Sequence, residues 1–279
     1  GHNMQTFQKI HQAPLLIKCG GSIINNVDEL SKLLKDLSQL KALGYPIILL
    51  HGGGPDINQL CAQLNLTSTF SQGLRVTTAE ILAVTQMALL GKTNCGLVHK
   101  LNQNNMLAVG ISGHDANLLM ANFIDQDKLG YVGEIFAVNT PLLDNLLNLG
   151  IIPVIAPLAI DKKGNTLNIN ADLAAGAVAV AMKAQQLILL SDIDGYYANY
   201  PDPTSLVKIL NTLEVAQLLA DSTTVSDGMR PKLSACLNAV NGGVSLAQIV
   251  NGNLAQSLLT AVQNPLQIGT SIIKGDPSC

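Results

Sequence analysis

The chain has 279 residues, of which 48% are hydrophobic, 13% charged and 3% aromatic, with no Trp and a formal net charge of −3. That length holds one large α/β domain or two coupled lobes, around a core that must be aliphatic. The weak negative charge, without a basic tract or basic–aromatic interleaving, argues against a nucleic-acid reader, and no unbroken apolar run approaches the ~20 residues that span a bilayer.

The five cysteines, Cys19, Cys61, Cys95, Cys236 and Cys279, are scattered and contain no C-x-x-C pair. Neither a disulfide framework nor a zinc site is indicated. With no charged start followed by an apolar signal segment, the expectation is a cytoplasmic protein with reduced thiols. Gly1-His2-Asn3 ahead of Met4 reads as a cloning remnant. So little charge leaves the polar surface to Asn, Gln, Ser and Thr, which hints at oligomer contacts.

Leu15-Leu16-Ile17-Lys18-Cys19 is an apolar strand that delivers Lys18 at its end, and Gly20 and Gly21 follow. A lysine in a buried strand is costly unless its head meets an anion or carboxylate, or snorkels to the surface. Residues 28–43 carry Leu30, Leu33, Leu34, Leu37 and Leu40 at helical spacing, with Gly44 as the stop. Ile47-Ile48-Leu49-Leu50 is then a buried parallel strand. It runs straight into His51-Gly52-Gly53-Gly54-Pro55 and a helix. Strand, glycine loop and helix start make an anion site, or else a plain tight turn. Neither a P-loop nor a dinucleotide fingerprint is present, since Gln86 stands where a P-loop ending in Gly91-Lys92-Thr93 needs glycine.

Residues 67–77 predict a short hairpin or flap with Arg75 at its end, placed to clamp a carboxylate or simply solvated. Residues 79–103 read as helix, broken near Gly91, and residues 106–111 as a strand ending in Ser112-Gly113-His114-Asp115. His114 reads as structural or solvated rather than catalytic. Residues 129–135 resemble a strand with two glycine kinks, residues 141–149 a short helix and residues 151–156 a buried strand. Asp161-Lys162-Lys163-Gly164 turns between two short strands. In Leu167-Asn168-Ile169-Asn170-Ala171-Asp172, alternation puts Asn168 and Asn170 on one side. Asn170 suits an N-cap and Asp172 the first helical turn. A strand from Gln186 ends in the acidic turn Ser191-Asp192-Ile193-Asp194-Gly195. Lys232 opens a later helix, where a cation opposes the dipole unless it faces an anion. Residues 244–250 and 268–273 are late strands with a helix between them.

Six of these segments together resemble the amino acid kinase family, in the family's order and over about residues 14–273. They are Ile17-Lys18-Cys19-Gly20-Gly21, His51-Gly52-Gly53-Gly54-Pro55, Gly73-Leu74-Arg75-Val76-Thr77, Asn168-Ile169-Asn170-Ala171-Asp172, Leu190-Ser191-Asp192-Ile193-Asp194-Gly195 and Gly228-Met229-Arg230-Pro231-Lys232. The Asn-x-Asn-Ala-Asp segment at 168–172 and the Gly-Leu-Arg-Val-Thr run at 73–77 resemble the N-acetylglutamate kinase branch most. The resemblance implies a three-layer α/β/α sandwich around a mainly parallel open sheet. It implies a single domain over residues 14–279, with an acyl-substrate lobe at about 14–180 and a nucleotide lobe at about 181–279. The implied reaction moves a phosphoryl group from ATP, with Mg²⁺, to the side-chain carboxylate of N-acetyl-L-glutamate, a step of arginine biosynthesis.

By resemblance Lys18 and Lys232 neutralise the transferring phosphoryl and Asp172 holds both ammonium groups. Gly20, Gly21, Gly52, Gly53 and Gly54 supply backbone N–H groups to phosphate. Gly53, Gly54, Arg75 and Asn168 take the acyl substrate, and Ser191, Asp192 and Gly195 the nucleotide, with no protein ligand to a metal expected. A homodimer insensitive to arginine is the further expectation, given the few residues before the first strand. The chain departs from the family after Ser112-Gly113, where His114, Asp115 and Ala116 replace the usual basic residue and Asp-Gly. A kinase for another acyl amino acid (N-acetyl-aminoadipate or carrier-linked glutamate) and a catalytically silent regulatory paralogue are the competing readings.

Overall fold

A computed structural model describes residues 11–276, so the expected cloning remnant and Cys279 lie outside the described residues. Strand β1 (Leu15–Cys19) is buried along its whole length. One turn of helix, α1 (Gly21–Ile24), follows the paired glycines, and α2 (Val27–Ala42) buries the leucine face that its spacing predicts. Asn26 caps α2, its side chain accepting from the amides of Asp28 and Glu29. Strand β2 (Ile47–His51) is again fully buried, and α3 (Gly54–Gln63) starts straight out of the glycine loop with Pro55 in its first turn.

Strands β3 (Phe70–Ser71) and β4 (Leu74–Arg75) form the expected hairpin. Helices α4 (Ala79–Gln86) and α5 (Cys95–Gln103) are one continuous rod joined by a π-helical stretch, Met87–Asn94. The break expected near Gly91 is therefore corrected: the helix widens there instead of ending. By length and a mean hydropathy of 1.3 the rod Ala79–Gln103 is long and apolar enough to cross a membrane, which the search for unbroken apolar runs missed. It packs against α3 and buries the polar residues Thr85, Thr93 and Asn94, as a core helix does.

Next come β5 (Ala108–Ser112), β6 (Leu119–Phe123), α6 (Gln126–Leu129) and β7 (Gly133–Val138). The strand expected at 129–135 begins later because Leu129 closes a helical turn and Gly130 follows it at φ +71. Helix α7 (Thr140–Asn148), β8 (Ile152–Ala156), β9 (Leu158–Ile160), β10 (Thr166–Asn168) and α8 (Ala171–Ala181) agree with the sequence reading. The chain continues as β11 (Gln186–Ser191), β12 (Ile209–Asn211), α9 (Thr212–Ala220), α10 (Met229–Asn241), β13 (Ala247–Asn251), α11 (Ser257–Gln263) and β14 (Thr270–Ile273).

The main sheet has eight strands in the order β12-β14-β13-β11-β1-β2-β8-β5. Its pairs are parallel except β13 with β14. A smaller sheet, β10-β9-β6-β7, lies beside it. Side chains alternate across the main sheet: Leu15, Ile17 and Cys19 join one apolar cluster with the α2 leucines, while Leu16 joins another with α8 and α10. Helices thus cover both faces, giving the three layers expected. The parallel register brings the carboxyl ends of β1, β2, β8, β11 and β13 to one edge, where ligands of open α/β sheets bind.

Candidate active site

The alternation along β1 puts Lys18 on the face covered by α8, where only 6% of it is exposed. Asn170 caps α8 by accepting from the Leu173 amide at 3.1 Å, which sets Asp172 in the first turn above that strand end. Helix α10 crosses α8 so closely that a Cβ on Gly176 would lie 2.9 Å from the Ala235 carbonyl oxygen. One turn before that contact on each helix stand Asp172 and Lys232. Lys232 Nζ donates to Asp172 Oδ2 at 3.1 Å. Lys18 Nζ lies 3.0 Å from Oδ1, an ion pair without hydrogen-bond geometry.

Burial pushes the Lys18 ammonium below its ordinary pKa, and Asp172 partly reverses the effect. Burial pushes the Asp172 carboxyl up, but the two ammonium groups outweigh it and hold the acid at about 2. Asp172 is therefore an anion between two cations, and the trio carries one net positive charge into a low-dielectric cleft. Cys19, next to Lys18, has its thiol pushed up to about 12 by burial, so it is not a nucleophile.

The two glycine loops meet in front of this trio. A Cβ on Gly21 would sit 2.8 Å from Pro55 Cδ and 3.3 Å from Gly53 N, so the approach requires glycine. Lys18, Gly52, Gly53, Gly54, Arg75, Asn168 and Asp172 line one cleft of about 160 Å³. Arg75 is buried; its Nη1 donates to Asn58 Oδ1 at 2.9 Å and Ser68 Oγ at 2.6 Å, and its guanidinium stacks 4.6 Å from the Phe70 ring centroid. Among the described residues Nη2 carries no hydrogen bond. Asn168 ends β10 and donates to Thr77 Oγ1 at 3.3 Å. The cleft thus has cations and free N–H groups at one end and an arginine with an amide at the other.

The predicted nucleotide residues do not line this cleft. Ser191 is buried at the end of β11 and accepts from the Ile193 amide at 3.2 Å, while Asp192 is exposed on the turn. Gly195 lines a second cavity of about 530 Å³ with Tyr196–Tyr200 and the Thr223–Ser226 loop before α10. Gly20 lines neither space and packs against the end of β11, where a Cβ on it would be 3.5 Å from the Leu190 carbonyl oxygen. The sequence reading missed Asn58 and Ser68, which hold Arg75, and residues 196–200 and 223–226, which wall the second cavity. For the last group the signal was present in the polar turn ahead of Lys232. His114 stands outside the cleft, bridging Ser112 Oγ (2.8 Å) and Thr166 Oγ1 (2.9 Å) and so tying β5 to β10. Among the described residues no three acids, histidines or cysteines gather as a metal site.

A profile of the amino acid kinase family matches residues 14–251. The acetylglutamate kinase of Gracilaria tenuistipitata var. liui is 39% identical over 95% of this chain and 93% of its own. The chloroplastic acetylglutamate kinase of Arabidopsis thaliana is 40% identical over 95% of this chain and 76% of its own. Among solved structures, N-acetylglutamate synthase from Neisseria gonorrhoeae, complexed with coenzyme A and N-acetyl-glutamate, superposes with a TM-score of 0.81 at 29% identity, covering 96% of this chain and 61% of that one. Carbamate kinase from Giardia lamblia superposes at 0.69 with 16% identity over 94% of this chain and 99% of that one, a likeness of fold. With a profile match across most of its length and relatives near 40% identity over almost all of it, the chain belongs to the amino acid kinase family.

Proposed function

We propose that the protein transfers the γ-phosphoryl group of ATP to the side-chain carboxylate of N-acetyl-L-glutamate, giving ADP and N-acetyl-L-glutamyl 5-phosphate, a step of arginine biosynthesis. The observation that carries this reading is the buried Lys18–Asp172–Lys232 trio at the mouth of a cleft that ends in Arg75 and Asn168. The acceptor carboxylate has a pKa of about 4.3 and is already ionised at pH 7, so no general base is required. The barrier is electrostatic, because a carboxylate must approach a polyanion while charge moves to the leaving ADP. Lys18 and Lys232 meet that charge from two sides, and Asp172 holds both ammonium groups in place. N–H groups of Gly20, Gly21, Gly53 and Gly54 donate to the phosphoryl oxygens. The expected Gly52 N–H is corrected, because it already donates to the Cys19 carbonyl oxygen at 2.9 Å, and Gly52 contributes by lining the cleft. Arg75 takes the substrate α-carboxylate and Asn168 its acetamido group. Gly54 closes over the same substrate beside Arg75.

Ser191, Asp192 and Gly195 serve the nucleotide, whose base enters the second cavity. Mg²⁺ bound with ATP would supply charge neutralisation at the phosphates. The fully engaged Asp172 supports few protein ligands to it, consistent with how this ion is usually held. In this reading residues 14–180 form the acyl lobe and residues 181–279 the nucleotide lobe of one cytoplasmic homodimeric enzyme. The test is turnover with Lys18→Ala and Lys232→Ala. Each is expected to lower kcat by at least about 100-fold, as loss of a transition-state charge contact does. Near-normal kcat in both variants would remove the proposed roles.

A further inference from the structure

Resting on that phosphoryl-transfer reading and deepening it, a second layer lies behind the glycine loop. His51 ends β2 with 0% of its surface exposed, and burial pushes its imidazole down to about 4, so the ring is neutral at pH 7. Its Nδ1 lies 2.8 Å from the Gly52 carbonyl oxygen and its Nε2 lies 3.0 Å from Asn94 Nδ2. The same Asn94 Nδ2 donates to the Val154 carbonyl at 3.1 Å. A carbonyl oxygen only accepts, so Val154 settles which end of the Asn94 amide is nitrogen. With one amide hydrogen on Val154, the other points at Nε2, which must therefore accept. The single ring proton is then on Nδ1, donating to Gly52. Asn94 belongs to the π-helical stretch, and a Cβ on Gly110 would come within 2.0 Å of its Oδ1, so the amide is boxed in from β5 as well.

The Gly52–Gly53 peptide is trans, since the described residues contain one cis bond, Tyr200–Pro201. In a trans peptide the C=O and the following N–H point in opposite directions. A Gly52 carbonyl held back against a buried ring turns the Gly53 N–H the other way, towards the cleft that Gly53 lines. Among the described residues that N–H has no hydrogen-bond partner. We propose that His51, locked as its Nδ1–H tautomer by Asn94, is a positioning residue that aims the Gly53 N–H at the transferring phosphoryl group. Two neighbouring features brace the same loop. Thr93 donates to the buried Asp56 at 2.6 Å and Lys92 pairs with Asp56 at 3.0 Å, so three consecutive residues of the π-helical stretch hold the loop and the first turn of α3.

The proposal is tested by comparing His51→Asn with His51→Gln. An asparagine amide nitrogen falls near the place of Nδ1 and can still donate to Gly52, whereas a glutamine nitrogen reaches the place of Nε2 and cannot. The expected result is kcat near that of the unsubstituted protein for H51N and about 100-fold lower for H51Q, with both KM values little changed, as for loss of one preorganised donor. A space-filling role predicts the reverse order, since glutamine is closer to histidine in volume. H51Q matching or exceeding H51N, with both variants folded, would overturn the proposal. The second measurement needs no variant. Nitrogen-15 NMR of the unsubstituted protein should show His51 protonated at Nδ1, and Asn94→Asp, which offers Nε2 an acceptor, should move the proton to Nε2. An Nε2–H signature in the unsubstituted protein would also overturn it. If the unsubstituted protein turns over no acyl acid at all, the kinase reading fails, while the tautomer still decides the role of His51.

Discussion

Asp172 is the residue on which the site turns, because it is a buried carboxylate whose pKa of about 2 stands below the ordinary 3.8. A carboxyl depressed in the folded state stabilises the fold above the unfolded pKa, and that contribution is lost as pH falls from about 3.8 towards 2. Asp172→Asn leaves two buried ammonium groups facing each other without a counter-charge. The expected cost is about 3 kcal/mol in urea unfolding at pH 7, with a flatter acid limb between pH 4 and 2. A change below about 1 kcal/mol would mean the trio is effectively solvated. Arg75→Ala should chiefly raise the KM for the acyl substrate, by about 100-fold if a bidentate contact is lost. A change confined to the KM for ATP would remove Arg75 from the acyl pocket. Lys18 and Lys232 were legible from sequence because each violates a local rule: a lysine inside a buried strand, and a lysine in a first helical turn. Both violations resolve on the same carboxylate. Asn58 and Ser68 violate no rule where they stand, so their hold on Arg75 was not legible.

At the scale of elements, the α8–α10 crossing converts sequence position into a charge contact. Gly176 and Ala235 let the helix backbones approach, and one turn earlier on each helix the approach becomes the Asp172–Lys232 pair. Gly176→Ala inserts a methyl 2.9 Å from a backbone oxygen and forces the helices apart. The account expects a kcat at least about tenfold lower and a stability loss of about 1–3 kcal/mol, as for overpacking. Unchanged kcat in a destabilised but folded variant would separate the crossing from catalysis. The strand–loop–helix units were legible because apolar runs, glycines and caps agree locally. The π-helical stretch was not, because the groups it contacts, Asp56, His51 and Val154, are all distant in sequence.

For the whole molecule, the sheet order carries the function. Strands far apart in the chain, β1, β2, β8, β11 and β13, end at one edge and bring the glycine loops, Lys18 and the turn after Ser191 together. Sequence pattern predicted the parallel sheet but not the order of its strands, which pairs segments far apart in the chain. The small sheet and its β6 were harder to read, since short half-buried strands carry a weak alternation. The expected homodimer has a direct check, because sedimentation equilibrium should return twice the 29.3 kDa chain mass. A mass of one chain would contradict it. The most direct test of the central claim is hydroxylamine trapping of acyl phosphate with Mg-ATP, comparing N-acetyl-L-glutamate, free glutamate and N-acetyl-aminoadipate. The account predicts hydroxamate from N-acetyl-L-glutamate alone. Product from another acid in its place, or from none despite measurable ATP binding, would contradict it.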